Sequence, residues 1–275
     1  MPYIKTSSAP SADLHYIDVG SGKPVVLIHG WPLSLTMWEN QINALVDAGY
    51  RCIAYDRRGF GDSSKPSGGY DYDTFASDLN DLMTSLDLTD AALAGFSMGG
   101  GEVARYIGRY GSSRVSKALL LASVTPFLLK TADNPDGAPK ELFDGMLAGV
   151  KKDRIAFLEE FFQNFFNTDT EYEGVSSDLV PFAKSVAWVA SPLATQQCIV
   201  AFGMTDFRDD VAKIDVPTLI VHGDEDRIVP FLISGKKAAE SIKGSRLEVV
   251  KGAPHGFAST HAAHLNKLML DFLSK

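Results

Sequence analysis

An α/β fold with a mostly parallel central sheet, flanking helices and an inserted helical cap is predicted for this chain by three features of its sequence. Short apolar, β-rich runs alternate with longer stretches of helical period, the pattern of a parallel sheet covered on both faces. The strand signal vanishes between residues 126 and 212, where the chain becomes helical and aromatic. Apolar residues make up 45% and charged residues 22% of the 275, the balance of a chain that buries a sizeable core and not of a disordered one.

Six runs read as strands: 24–29, 52–55, 91–94, 118–121, 218–221 and 247–250. The first, Pro24-Val25-Val26-Leu27-Ile28-His29, shows the type, an apolar run without the polar alternation of a half-exposed strand. The clearest helix is Thr74 to Leu86, where Phe75, Leu79, Leu82, Met83 and Leu86 fall on one face. From Pro126 onward, Phe157, Phe161, Phe162, Phe165, Phe166, Trp188 and Phe202 mark the cap, and Ile214-Asp215-Val216-Pro217 leads back into a strand. The insertion therefore interrupts one sheet: residues 1–125 and 213–275 form the core and 126–212 the cap of a single structural domain.

Lys and Arg number 26 against 34 Asp and Glu, a formal net charge of −8, and no basic run offsets it, so nucleic acid is excluded as a partner. No apolar run approaches the roughly 18 residues of a bilayer span, so no membrane partner is expected. Cys52 and Cys198 stand far apart among apolar neighbours and read as buried free thiols. Met1 to Tyr16 carries Lys5 without an apolar stretch behind it, and the expected compartment is the cytoplasm.

Gly95-Phe96-Ser97-Met98-Gly99 directly follows a strand and precedes a helix, the setting of a nucleophile elbow. A serine in so tight a turn has a strained backbone and an exposed Oγ, and the residues two positions either side must be small. Its hydroxyl needs a general base. His255, in Ala253-Pro254-His255-Gly256-Phe257 after the last strand, is placed to supply one. In His222-Gly223-Asp224-Glu225-Asp226, Asp226 is the better partner for the imidazole, while Asp224 reads as a turn residue capping its own backbone. His29-Gly30-Trp31-Pro32 follows the first central strand, and the backbone N–H groups of Trp31 and Met98 are the expected oxyanion donors. Arg57 and Arg58 read as braces near the elbow helix. His261 and His264 lack a carboxylate or cysteine partner and read as solvated, not as metal ligands.

Taken with Tyr55-Asp56-Arg57-Arg58-Gly59-Phe60-Gly61, Gly100-Gly101-Glu102-Val103-Ala104-Arg105-Tyr106 and Thr205-Asp206-Phe207, these motifs resemble the serine α/β-hydrolases, and among them the cofactor-free haloperoxidases or perhydrolases and their arylesterase relatives. The resemblance runs over nearly the whole chain. It implies the α/β-hydrolase fold, a Ser97–His255–Asp226 triad, and no metal, haem or other cofactor. It also implies a small apolar pocket lined by Val124, Phe161, Phe165, Ile228 and Phe231, with Pro32 beside the oxyanion tryptophan. The implied reaction is cleavage of short acyl or aryl esters through an acyl-serine, with hydrogen peroxide as an alternative to water and a peracid as the product. Members of the family often assemble as trimers or hexamers. Two alternatives share the same residues: a lactamase acting on cyclic amides, and a ligand sensor that binds without turnover. Epoxide hydrolases and haloalkane dehalogenases need an aspartate at the elbow, where this chain has Ser97.

Overall fold

The computed structural model describes residues 2–172 and 176–275. Eight strands form one sheet in the order β1-β2-β4-β3-β5-β6-β7-β8. Strands β3 (Pro24–Ile28), β4 (Arg51–Tyr55), β5 (Ala91–Phe96), β6 (Val115–Leu121), β7 (Thr218–Gly223) and β8 (Arg246–Val250) run parallel and correspond to the six apolar runs. Strands β1 (Tyr3–Lys5) and β2 (Asp13–Gly20) add an antiparallel edge that the apolar runs do not announce. The reason is local. At the sheet margin β2 buries only Leu14 and His15 fully and exposes Asp13, Asp18, Val19 and Gly20, so it has neither a continuous apolar run nor clean alternation.

Helices α1 (Glu39–Asp47), α2 (Tyr72–Ser85) and α3 (Met98–Tyr110) precede β6. The predicted helix at Thr74 starts two residues earlier because Asp71 caps it, its carboxylate accepting from the Thr74 N–H at 2.9 Å. Between β6 and β7 lie α4 (Lys140–Phe166), α5 (Leu179–Trp188), α6 (Pro192–Met204) and α7 (Arg208–Val211), and after β7 come α8 (Gly235–Ser241), α9 (Phe257–Thr260) and α10 (Ala262–Leu273). Helix α4 is bent at Asp153, whose backbone leaves the helical region at φ −157° and ψ 95°. The Asp153 carboxylate accepts from the N–H groups of Ile155 and Ala156, both at 3.0 Å, and so caps the second half of α4 as a new helix.

The strand–turn–helix unit that carries Ser97 is held by contact between backbones. A methyl group on Gly95 would lie 2.3 Å from the Gly99 carbonyl oxygen, and one on Gly99 would lie 2.3 Å from that of Ile28. Glycine at both positions lets α3 press onto the ends of β5 and β3. Both cysteines are buried and free.

Arg57 and Arg58 fix what surrounds this unit. The Arg57 guanidinium donates to Glu102 on α3 at 2.7 Å and to the His29 carbonyl at 2.9 Å, and its own N–H donates to His29 Nε2 at 3.0 Å. Tyr55 donates its hydroxyl to the same Glu102 carboxylate. Arg58 pairs with Asp78 on α2 at 2.6 Å and reaches the Pro10 carbonyl at 2.9 Å. Both pairs are almost wholly buried. Removing one partner leaves an uncompensated buried charge, so Glu102→Ala lowers the free energy of unfolding by about 3–5 kcal/mol; urea denaturation of the two proteins measures it.

Candidate active site

Ser97 sits at φ 54°, a left-handed conformation in a non-glycine residue, and is 5% exposed. The elbow imposes that conformation, and it turns the hydroxyl away from the sheet. The structure places Ser97 Oγ 2.9 Å from His255 Nε2, and His255 Nδ1 2.7 Å from Asp226 Oδ2. A carboxylate only accepts, so Nδ1 carries the proton and donates to Asp226. This leaves the Nε2 lone pair to accept from the serine hydroxyl. Three residues from three loops, at the ends of β5, β7 and β8, thus meet at one edge of the sheet.

Each member is held by its surroundings. The His255 ring is buried between Phe96, with ring centres 5.0 Å apart, and Phe165, at 4.9 Å. Asp226 Oδ1 accepts from the backbone N–H groups of Ile228 and Val229 at 2.9 and 2.8 Å, leaving Oδ2 to face His255. Burial alone would raise the Asp226 carboxyl. Electrostatic attraction to the His255 ring and the hydrogen bonds from His222 and His255 outweigh it and hold the carboxyl well below the usual carboxylate range.

His222 is a neighbour that the sequence reading missed. It is the penultimate residue of β7, four residues before Asp226, and its Nε2 lies 2.8 Å from the Val229 carbonyl and 3.2 Å from Asp226 Oδ2. A histidine directly after the apolar run Leu219-Ile220-Val221 was the one available signal. Asp224 also differs from expectation. It accepts from the Gly252 N–H at 2.6 Å and so ties the loop after β7 to the loop after β8 instead of capping its own turn.

Met98 follows Ser97 in the chain and Trp31 borders the same cavity as Ser97, and neither backbone N–H donates to a protein acceptor among the described residues. The Trp31 indole donates to the Thr195 carbonyl at 3.1 Å, which anchors the loop to α6. Behind it, burial and then the Arg57 charge push the His29 pKa well below its ordinary value, so His29 is neutral. It donates from Nδ1 to the Gly30 carbonyl at 2.8 Å and accepts at Nε2 from Arg57.

Ser97 opens into a cavity of about 330 Å³ that is also bounded by Trp31, Val124, Phe161 and Ile228. Phe165, Phe231 and Pro32 do not line it, contrary to expectation. Phe165 is one turn beyond Phe161 on α4, but its ring is taken up by His255 and borders a separate hollow behind that residue. Phe231 lies on a short 3-10 turn with its ring 5.7 Å from His222, and the flanking Pro230 and Ile233 face the cavity instead. At Pro32 the chain has already turned back, since the Leu33 N–H donates to the Gly30 carbonyl at 3.1 Å. The aromatic walls that sequence reasoning did not assign are Phe143, Phe157 and Phe202.

One cluster outside this site, His15, Asp56 and Asp62, has the residue types of a metal site. The Asp56 carboxylate is committed to the fold: it accepts from Leu35 N–H at 2.8 Å, Asp62 N–H at 2.9 Å and His15 at 2.9 Å. Those bonds pin the loop after β4, which leaves little of the carboxylate for an ion.

Comparison with known proteins places residues 23–262 in the family described as alpha/beta hydrolase fold. A putative non-heme chloroperoxidase of Synechocystis sp. is 51% identical, covering 99% of this chain and 100% of its own length. A bifunctional esterase/perhydrolase of Acinetobacter calcoaceticus is 39% identical over 99% of both chains. The crystal structure of a bromoperoxidase from Bacillus anthracis superimposes with a TM-score of 0.94 at 47% identity over 100% of both chains.

The depressed Asp226 carboxyl has a consequence for stability. An ordinary aspartate titrates near pH ~3.9, so below that pH the unfolded chain takes up a proton that the folded chain refuses. The contribution of Asp226 is therefore complete above about pH 4 and is lost as the pH falls through the folded value. Melting temperatures measured from about pH 5 to pH 2 fall more steeply in the parent than in Asp226→Asn.

Proposed function

The chain belongs to the α/β-hydrolase fold family, among the non-heme haloperoxidases and esterase/perhydrolases, and from that premise we propose that it is a serine hydrolase of small carboxylic esters that also transfers the acyl group to hydrogen peroxide. The observation that carries this reading is the unbroken line of hydrogen bonds from Ser97 through His255 to Asp226 at the floor of an apolar cavity. Largely apolar walls bind acyl or aryl groups, while Ser97, hydrogen-bonded to its base, faces inward.

The steps follow from the geometry. Ser97 Oγ attacks the ester carbonyl carbon as its proton passes to His255 Nε2. Asp226 offsets the imidazolium charge and keeps the ring in the right tautomer. The carbonyl oxygen becomes an anion, and the unspent N–H groups of Trp31 and Met98 receive it. His255 returns the proton to the departing alcohol, leaving an acyl-serine. Water, deprotonated by His255, attacks that ester and releases a carboxylic acid. Hydrogen peroxide attacking in its place releases a peracid, which oxidises halide away from the protein with no metal or haem involved.

The Trp31 carbonyl accepts no hydrogen bond among the described residues and lies beside the oxyanion donor. A carbonyl so placed accepts the second O–H of peroxide, which a water molecule attacking from the same position does not offer in the same place. Pro32 fixes the backbone that follows it, since its ring restricts φ and it has no N–H to donate.

Replacing Ser97 by Ala lowers kcat on p-nitrophenyl acetate by about 10⁴ or more, and chelators leave the parent rate unchanged; release of p-nitrophenol measures both, and a surviving rate in Ser97→Ala counts against the mechanism. Pro32→Leu lowers the ratio of peracid to carboxylic acid formed when an ester panel is run with and without peroxide. An unchanged ratio would remove Pro32 from the explanation of perhydrolysis.

A further inference from the structure

We propose that Gly149 and Gly203, neither of which borders the cavity, set the largest acyl group the site accepts by giving the rings of Phe157 and Phe143 room to lie back from it. The inference rests on the serine-hydrolase reading above and adds to it the residues that determine acyl size.

Both glycines are inside helices, where glycine is disfavoured more than any residue but proline. Each is matched to one aromatic wall. A methyl on Gly203 of α6 would lie 2.5 Å from Phe143 Cδ1 and 2.8 Å from its Cγ. A methyl on Gly149 of α4 would lie 2.7 Å from Phe157 Cδ2. Contacts this short do not occur between carbon atoms, so in each case the ring would have to move.

The second contact exists only because of the bend at Asp153. Eight residues along a straight helix separate two side chains by roughly 12 Å, whereas here the second half of α4 folds back and lays Phe157 over Gly149. Where a displaced ring goes is set by what surrounds it. Phe157, half-buried, packs against Trp31 and Phe161, with ring centres 6.4 and 6.2 Å away, and Phe143 is only 4% exposed. The open space that both rings border inside the protein is the cavity that Ser97 faces. A methyl at either glycine therefore becomes a loss of cavity depth. Gly145, on the same helix, has nothing within 4 Å of the corresponding methyl position and serves as a control of identical chemistry.

The test is kcat/KM for p-nitrophenyl hexanoate divided by that for the acetate. Fluorophosphonate, whose phosphorus bonds to Ser97 Oγ as fluoride leaves, counts the active molecules. Gly149→Ala and Gly203→Ala each lower the ratio about tenfold or more, since each methylene lost from an apolar pocket is worth about that much, while Gly145→Ala leaves it within about twofold. Adding Phe143→Leu to Gly203→Ala removes the displaced ring and restores the ratio, including where Gly203→Ala alone is inactive. A ratio unchanged in both glycine variants, or not restored by Phe143→Leu, would overturn the inference. A parent that neither hydrolyses the esters nor reacts with fluorophosphonate would overturn the hydrolase reading itself, and the inference with it.

Discussion

The buried ion pair between Arg57 and Glu102 is the constraint on which the rest of the site depends. It links the end of β4 to the first turns of α3, and through the two bonds from Arg57 to His29 it also holds the loop that follows β3. Those three segments carry Ser97 and the backbone N–H groups of Trp31 and Met98, the proposed nucleophile and oxyanion donors. Burial works against the Arg57 charge, but the Glu102 carboxylate outweighs it, and the guanidinium is held more firmly charged than usual. A packed apolar trio would be about as stable in such a place. What apolar side chains lack is direction: a guanidinium that donates to a carboxylate and to a carbonyl at once fixes the angle between two loops, and an oxyanion hole is useful only if its donors are aimed.

The same economy of charge runs through the site. His29 is neutral because it is buried, and because the neighbouring Arg57 already supplies a positive charge there. Asp226 is ionised because two histidines and two backbone N–H groups face it. The site therefore keeps one mobile proton, on the line between Ser97 and His255, and Asp226 with the two backbone N–H groups that hold it keeps that line straight.

Much of this was legible in the sequence where covalent structure leaves little choice. A strand that turns at once into a helix over glycines at 95 and 99 admits few conformations, so Ser97 could be placed from its neighbours alone, and Asp226 and His255 followed from the ends of two apolar strands. The parts that could not be read depend on contacts between distant segments. Strands β1 and β2 are stabilised by pairing at an exposed margin and carry no apolar run of their own. His222 acquires its role only when Val229 and Asp226 fold over it. Phe165 and Phe231 have the right chemistry for a cavity wall, and helical spacing even puts Phe165 on the face of Phe161, but the ring that reaches a histidine first is no longer available to a substrate. Phe157 enters the cavity because α4 breaks at Asp153, and one aspartate in a long helical stretch gives no warning of that.

The break in α4 also separates two kinds of inheritance. The triad hangs from the ends of sheet strands whose positions are fixed by hydrogen bonding along their whole length, and a change there is felt by the fold. Phe143 and Phe157 come from two helical pieces joined at a self-capped corner, and Gly149 on the first piece lies against Phe157 on the second. Three of the rings that bound the cavity, Phe143, Phe157 and Phe161, are thus carried by a stretch of chain that contains none of Ser97, Asp226 and His255, so the cavity can change shape without altering the hydrogen bonds among those three.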